Sequence, residues 1–344
     1  MRSHNDAEAV HMKAMVLNKP GPAEKGPLNL ENLEPRGIAK DELLVKVEAC
    51  GVCRTDLHIV EGELKPARLP IVPGHEIVGK VVEAGPDAEG FDVGDRVGVP
   101  WLHSTCGKCE YCISGRENLC ESKTFTGYTE NGGYAEYAIC KSAFSFELGK
   151  HADPEHIAPL LCAGIIGYRA FRTAMPRFGG RMAMFGFGSS AHLTLQLANA
   201  LGFETSVVSR TEAHLRLAGS LGASETYSYA ELAKSGEKFD GAIVFAPSGK
   251  VLLDALRSVK KGATVAVADI YASDIPEMNY SDYLFGEKRL VAIEANTRQD
   301  AVEYLELAGR LRIKPVVETL TVWKANEALL KVKNGATGSV VLTV

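Results

Sequence analysis

The sequence predicts an α/β protein in two parts: a doubly wound parallel sheet and a separate β-rich unit. Three observations predict it. From about Pro159 to Glu294, strand-like and helix-like segments alternate, the pattern of a parallel sheet flanked by helices. From about Lys13 to Ala158, short β-rich segments are broken by Gly and Pro, as in a barrel or sandwich. The length of 344 residues suits about two domains.

The elements follow in order. ELLVKVEACGV alternates like a half-buried strand, and EIVGKVVEAGPDAEGFDVGDRVGVP reads as two strands separated by turn residues. GGYAEYAIC reads as another strand. The alternating region offers the strands RMAMFGF, ETSVVSR, SETYSY, FDGAIVFAP, ATVAVAD and RLVAIEA. Between them lie AHLTLQLANALG, TEAHLRLAGSLG and GKVLLDALRSVKKG, helix-like segments each closed by Gly. After Asn296 come a helix (RQDAVEYLELAGRL), a strand (KPVVETL), a helix (KANEALLKVKNG) and a last strand (GSVVLTV).

Composition narrows the function. Lys and Arg number 38 against 43 Asp and Glu, a formal charge of −5, which argues against nucleic-acid binding and offers no membrane-attracted surface. Apolar residues at 46% and charged residues at 24% exclude wholesale disorder. No apolar run reaches the roughly 18 residues of a membrane-spanning helix. The start, MRSHNDAEAVHMKAMV, lacks an apolar core and a cleavage pattern, so its first dozen residues read as a loose polar tail. A soluble cytoplasmic protein is expected. Thiols stay reduced there, so the eight cysteines read as metal ligands or catalysts before disulfides.

Cys106, Cys109, Cys112 and Cys120 place four thiols within 15 residues. Two-residue gaps let a turn fold neighbouring thiolates around one tetrahedral zinc, closed and structural. An iron–sulfur cluster also takes four thiolates. Three weaker motifs are Gly51-Val-Cys53-Arg54-Thr55-Asp56-Leu-His58, Gly74-His75-Glu76 and Leu160-Leu-Cys162-Ala-Gly164. Together they supply Cys53, His75 and Cys162, a candidate zinc set with an open fourth position, as catalytic zinc requires. Spacing alone does not bring the three together. Gly186-Phe-Gly188-Ser189-Ser190-Ala191 stands between a strand and a helix. Its glycines allow a tight turn and close approach to a pyrophosphate, and the helix start offers free N–H groups.

These motifs resemble those of the zinc-containing alcohol dehydrogenases of the medium-chain dehydrogenase/reductase family, over nearly the whole chain. GHEIVGKVVEAGPDA fits that family's zinc signature, and GVCRTDLH, CGKCEYC with Cys120, and PLLCAG occur in its order and spacing. The resemblance implies a Rossmann-type dinucleotide domain over 159–296. It also implies a split GroES-like catalytic domain, 1–158 with 297–344, bearing a zinc lobe at 103–121. It implies two zinc ions per chain. Cys53, His75 and Cys162 would bind the catalytic one, with Glu76 close behind, and the four clustered cysteines the structural one. Asp56 would orient His75, Thr55 would bond the substrate hydroxyl, His58 would pass the proton to water, and Trp101 would line the substrate pocket. The implied reaction is hydride transfer between an alcohol and its aldehyde or ketone with NAD(P), on a small-molecule substrate, in a homo-oligomer that is a tetramer or dimer.

Departures refine this. NAD-preferring relatives carry an acid at the end of the second nucleotide-domain strand, whereas Val208-Ser209-Arg210-Thr211 has none here. Ser209 and Arg210 suit a 2′-phosphate, so NADP(H) is favoured. Ile166 stands where many relatives have Thr, and Gly338-Ser339-Val340 where many have a phosphate-reaching Arg. Arg54 could supply such a contact. Cys50 and Cys53 also spell C-x2-C, but away from the helix start that a redox pair needs, so Cys50 reads as a buried strand residue, as does Cys140. Alternative functions are a reductase of bulkier, cinnamyl-type aldehydes, a polyol dehydrogenase, or a non-catalytic zinc and nucleotide binder. Joint presence of Cys53, Thr55, His58, His75 and Cys162 favours catalysis.

Overall fold

The computed structural model of the protein describes residues 11–175 and 179–344. The polar tail expected at the start therefore lies, up to residue 10, outside the described residues. Six parallel strands form one sheet in the order Glu225–Tyr227, Glu204–Val208, Arg181–Phe185, Gly241–Val244, Thr264–Val267, Arg289–Ala292. The strand order reverses between Arg181–Phe185 and Gly241–Val244, and a crevice opens there beyond the carboxyl ends of the strands. The inner strands Arg181–Phe185, Gly241–Val244 and Thr264–Val267 are largely apolar runs because helices cover both faces. Met182 and Met184 point into one core with the helices Ala163–Ala174 and Ser189–Ala200. Ala183 and Phe185 point into the other with Gly249–Ser258.

The helix Arg298–Leu311 corrects the expected domain boundary. The sequence reading ends the nucleotide unit at 296, yet Ala301, Tyr304 and Ala308 bury in the parallel-sheet core. Their spacing of three and four residues makes one apolar face, and that face meets the nucleotide unit. Thr297 and Asp300 start the helix with a reciprocal capping box.

A seven-stranded sheet forms the β-rich unit. Its long strand Glu42–Val52 pairs with Glu76–Ala84 on one side and with Tyr137–Lys141 and Ser339–Thr343 on the other. Val317–Thr321 runs parallel beside Ser339–Thr343, so the chain's end returns to the unit its start began. A second correction falls at Cys53. It caps the start of the helix Arg54–Glu61 directly after the Glu42–Val52 strand, so the C-x2-C pair does meet a helix start. Cys50 is fully buried in the strand, as expected, and so is Cys140.

The cysteine lobe docks onto the segment that enters the helix Arg298–Leu311. Glu117 accepts hydrogen bonds from the Arg298 backbone N–H (2.8 Å) and from its guanidinium Nη2 (2.7 Å) and Nε (3.0 Å). Asn118 Nδ2 donates to the Glu294 carbonyl at 2.8 Å. The Arg298 guanidinium also lies 4.4 Å from the Phe144 ring centroid. Glu117 is nearly buried, so its removal strands a half-buried cation and an N–H together. Glu117→Ala should cost about 2 kcal/mol of stability. Thermal unfolding checks it, and an unchanged midpoint would show that the lobe is not anchored through this pair.

Candidate active site

The site begins with a buried carboxylate. Asp56 sits in the first turn of the Arg54–Glu61 helix and is fully buried. Its Oδ2 accepts the Cys53 N–H at 2.9 Å, and Oδ1 accepts the Gly74 N–H at 3.1 Å. Oδ1 also lies 2.9 Å from His75 Nδ1. One side chain thereby caps a helix, pins a turn and orients a histidine. Gly74 needs its positive φ of 97°, and a Cβ there would strike the Tyr134 ring.

With Nδ1 committed to Asp56, His75 Nε2 is buried and has no hydrogen-bond partner among the described residues. Around it stand Cys53, Cys162 and Glu76, with all four ligand atoms within 4.8 Å of one another. An orphaned imidazole nitrogen beside two thiols is the donor set of a zinc site. Electrostatics agree. Burial opposes the His75 charge, but the Asp56 carboxylate raises its pKa well above the usual histidine value. Cys162 and Cys53 share one thiol proton, and Cys53 is the partner driven toward the thiolate, chiefly by the hydrogen bond from Cys162. Burial, then the Cys53 charge, pushes the Glu76 carboxyl well up. Such crowding of negative charge needs a cation to relieve it.

The four lobe cysteines also bring their ligand atoms within 4.8 Å. Cys109 and Cys112 sulfurs are 3.5 Å apart, and the Cys106 N–H donates to Cys120 Sγ at 3.4 Å. Backbone N–H groups of Lys108 and Cys109 lower the Cys106 thiol to about 6. This set has four thiols and no imidazole, the donor set of a closed site.

Thr55, Trp101 and Cys162 line a cleft of about 830 Å³ that runs across to the parallel sheet. Its far wall holds Gly186, Gly188 and Ser189 at the start of the Ser189–Ala200 helix. Gly186 has φ 91°, and a Cβ there would press on the Ala246 backbone, so the turn requires glycine. The free N–H groups of that helix start face the cleft, a fit for a phosphate. Arg54, Ser209 and Arg210 line the same cleft, as does Ile166. Ser339 meets Ser189, hydroxyl to hydroxyl at 2.5 Å, where the relatives' Arg would stand.

His58 reaches water only through a neighbour. It is 2% exposed, and Glu63, itself about two-fifths exposed, binds its Nδ1 at 2.5 Å. Several cleft residues escaped the sequence reading. Phe125 stacks on Trp101 at 4.5 Å, and Tyr128 leans on both. Tyr229 and Asp269 also line the cleft. An acid ending the apolar run ATVAV was the available signal for Asp269, because parallel strands end at the ligand crevice.

The family model described as alcohol dehydrogenase GroES-like domain matches residues 39–150, and the one described as zinc-binding dehydrogenase matches 191–310. The Mycobacterium tuberculosis protein "Probable alcohol dehydrogenase AdhA" is 42% identical, covering 98% of this chain and 99% of its own. A cobalt- and zinc-bound thermostable alcohol dehydrogenase from Pyrobaculum aerophilum superposes with TM-score 0.88 at 26% identity, over 97% of this chain and 100% of that one. A cinnamyl alcohol dehydrogenase from Sorghum bicolor gives TM-score 0.86 at 25% identity, over 97% and 98%. The chain belongs to the zinc-containing alcohol dehydrogenases of the medium-chain dehydrogenase/reductase family. It is a zinc-dependent alcohol oxidoreductase of mixed Rossmann and GroES-like fold that uses a nucleotide cofactor on small-molecule substrates.

One glycine tests the packing of the metal-facing carboxylate. A Cβ at Gly51 would collide with the buried Glu76 carboxylate and press on its Cβ. Gly51→Ala should destabilise the protein by about 1–3 kcal/mol. A thermal midpoint equal to that of the unmodified chain would contradict this packing.

Proposed function

We propose that the chain binds two zinc ions and interconverts an alcohol and its aldehyde or ketone with NADP(H) in preference to NAD(H). The observation that carries it is His75, held through Nδ1 by Asp56 with a buried, unpartnered Nε2 amid two thiols and a carboxyl. Cys53, His75 and Cys162 would hold the catalytic ion, with Glu76 beside them. Zinc bound there would supply Lewis-acid polarisation of the substrate oxygen. Cys106, Cys109, Cys112 and Cys120 would hold the structural ion.

The chain's own residues do the rest. Thr55 Oγ1, 3.6 Å from Cys53 Sγ, holds the substrate hydroxyl by a hydrogen bond. His58, one helical turn on, takes the proton and stands against Glu63, whose exposed carboxylate hands it to water. Trp101, Phe125 and Tyr128 wall the cleft with stacked rings and keep water from the reacting atoms. That aromatic wall favours bulkier aryl or allylic substrates as the second reading. Polyols fit it poorly.

The nucleotide would lay its pyrophosphate on the helix start at Ser189, near Gly186, Gly188 and Arg54. Ser209 and Arg210 would take the 2′-phosphate, since a hydroxyl and a guanidinium there meet no competing acid. Burial pushes the Tyr229 phenol up to about 12, against the pull of the nearby Arg210 charge. The Arg289–Ala292 strand lies at the sheet edge, and Val291, Ile275 and Phe285 near it are exposed. An unpaired edge with apolar side chains supports a homo-oligomer, dimer or tetramer. Thiolate ligands suit the reducing cytoplasm. Among the described residues no helix is long and apolar enough to cross a membrane.

A panel of primary, secondary and aryl alcohols, scored by NAD(P)H absorbance with and without a zinc chelator, tests the reaction. Turnover that survives complete zinc removal would overturn the mechanism. For the cofactor, Arg210→Ala should lower kcat/KM for NADPH by about tenfold or more while leaving NADH nearly unchanged. A wild-type enzyme that prefers NADH would overturn the assignment.

A further inference from the structure

One half-buried acid in the cleft has no part in the proposed reaction. Asp269 follows the Thr264–Val267 strand by two residues, at the carboxyl edge of the parallel sheet. Its Oδ1 accepts the Tyr271 N–H at 3.3 Å. Its Oδ2 is shielded from solvent and has no hydrogen-bond partner among the described residues. The Tyr271 ring packs 5.3 Å from the His58 ring, so this segment of the nucleotide unit faces the Arg54–Glu61 helix. His58 Nε2 is likewise buried and unpartnered. Two orphaned polar atoms thus stand on either side of this contact between the units, and the Asp269 one opens on the cleft. Buried polar groups left unpaired in a ligand cleft are partnered by the ligand.

We propose that the Asp269 carboxylate would accept a hydrogen bond from a nicotinamide-ribose hydroxyl and is a second proton-holding group of the cleft. This rests on the nucleotide reading above. A bound oxidised nucleotide would supply the hydride acceptor, so the reaction needs no reactant beyond alcohol and nucleotide. Thr55 would release the alcohol's hydroxyl proton, and His58 or Asp269 would hold it. The carboxyl is suited to hold a proton near neutrality. Burial raises it to about 6, against the Tyr271 N–H, the charges of His58 and Arg54 and the Ile270 N–H, which pull it down. His58 and Arg54 face it from the Arg54–Glu61 helix, and Glu63 is occupied with His58. Above pH ~6 the ionised group accepts a charge-assisted hydrogen bond, and below it that bond is lost.

The test is NADPH binding to the zinc-loaded enzyme, followed by nucleotide fluorescence between pH 5.5 and 8, with Asp269→Asn and Asp269→Glu beside wild type. Wild-type affinity should tighten about tenfold as pH rises through ~6. Asp269→Asn should bind about tenfold more weakly at pH 7.5 and lose that step, while Asp269→Glu restores part of both. His58→Gln should keep the step, which separates it from the histidine's own titration. An Asp269→Asn enzyme with wild-type affinity and pH dependence would overturn the proposal, as would a Glu variant no better than Asn. Failure of the wild type to bind either NADPH or NADH would instead strike the nucleotide reading itself.

Discussion

The grip of Asp56 on three N–H groups organises the catalytic half of this enzyme. One carboxylate, with no exposure to solvent, satisfies the Cys53 N–H, the Gly74 N–H and His75 Nδ1. A buried charge is tolerated only when it is fully bonded, so the helix start, the Gly74 turn and the imidazole are fixed together. Cys53 and His75 come from segments 22 residues apart, and Asp56 sets their relation. Cys162 then arrives from the entry to the Ala163–Ala174 helix, which packs into the parallel-sheet core. The metal-facing donors are therefore drawn from both units, and the site depends on how the two pack.

That packing is itself polar and specific. The cysteine lobe holds the Glu294–Arg298 segment through Glu117 and Asn118, and residues 293–296 line the cleft. On the other side, the Ser189–Ala200 helix bonds the segment leading to the Val317–Thr321 strand. Val316 N–H donates to His192 Nε2 at 3.2 Å, and Gln196 exchanges two hydrogen bonds with the Lys314 backbone. His192 is buried, and burial lowers it to about 4, so it stays neutral and accepts at Nε2. The helix that would carry the pyrophosphate is thus braced against the catalytic unit without using its free N-terminal groups.

Much of this was legible in the sequence where the chemistry is local. Four cysteines within one short lobe, a glycine turn between strand and helix, and Gly-His-Glu each state their geometry within a few residues. The inner parallel strands were legible because burial on both faces makes them largely apolar. Long-range packing was not. The Arg298–Leu311 helix has an apolar face that fits either unit, and only the fold decides which. His58 reads as a surface histidine until Tyr271 and Glu63 close over it. Cys53 is a poor helix cap by type, yet C-x-x-D places Asp56 three residues on, where its carboxylate completes a capping box. Phe125, Tyr128 and Asp269 belong to no motif, since each acquires its place only when distant strands meet.

The central claim is that Asp56 preorganises a second, open metal site distinct from the cysteine lobe. X-ray diffraction from crystals of the purified protein, recorded on both sides of the zinc absorption edge, tests it most directly. Two anomalous peaks per chain are predicted, one amid Cys106, Cys109, Cys112 and Cys120 and one bonded to Cys53, His75 Nε2 and Cys162. A single peak confined to the lobe, in a protein that still oxidises alcohols, would contradict the account.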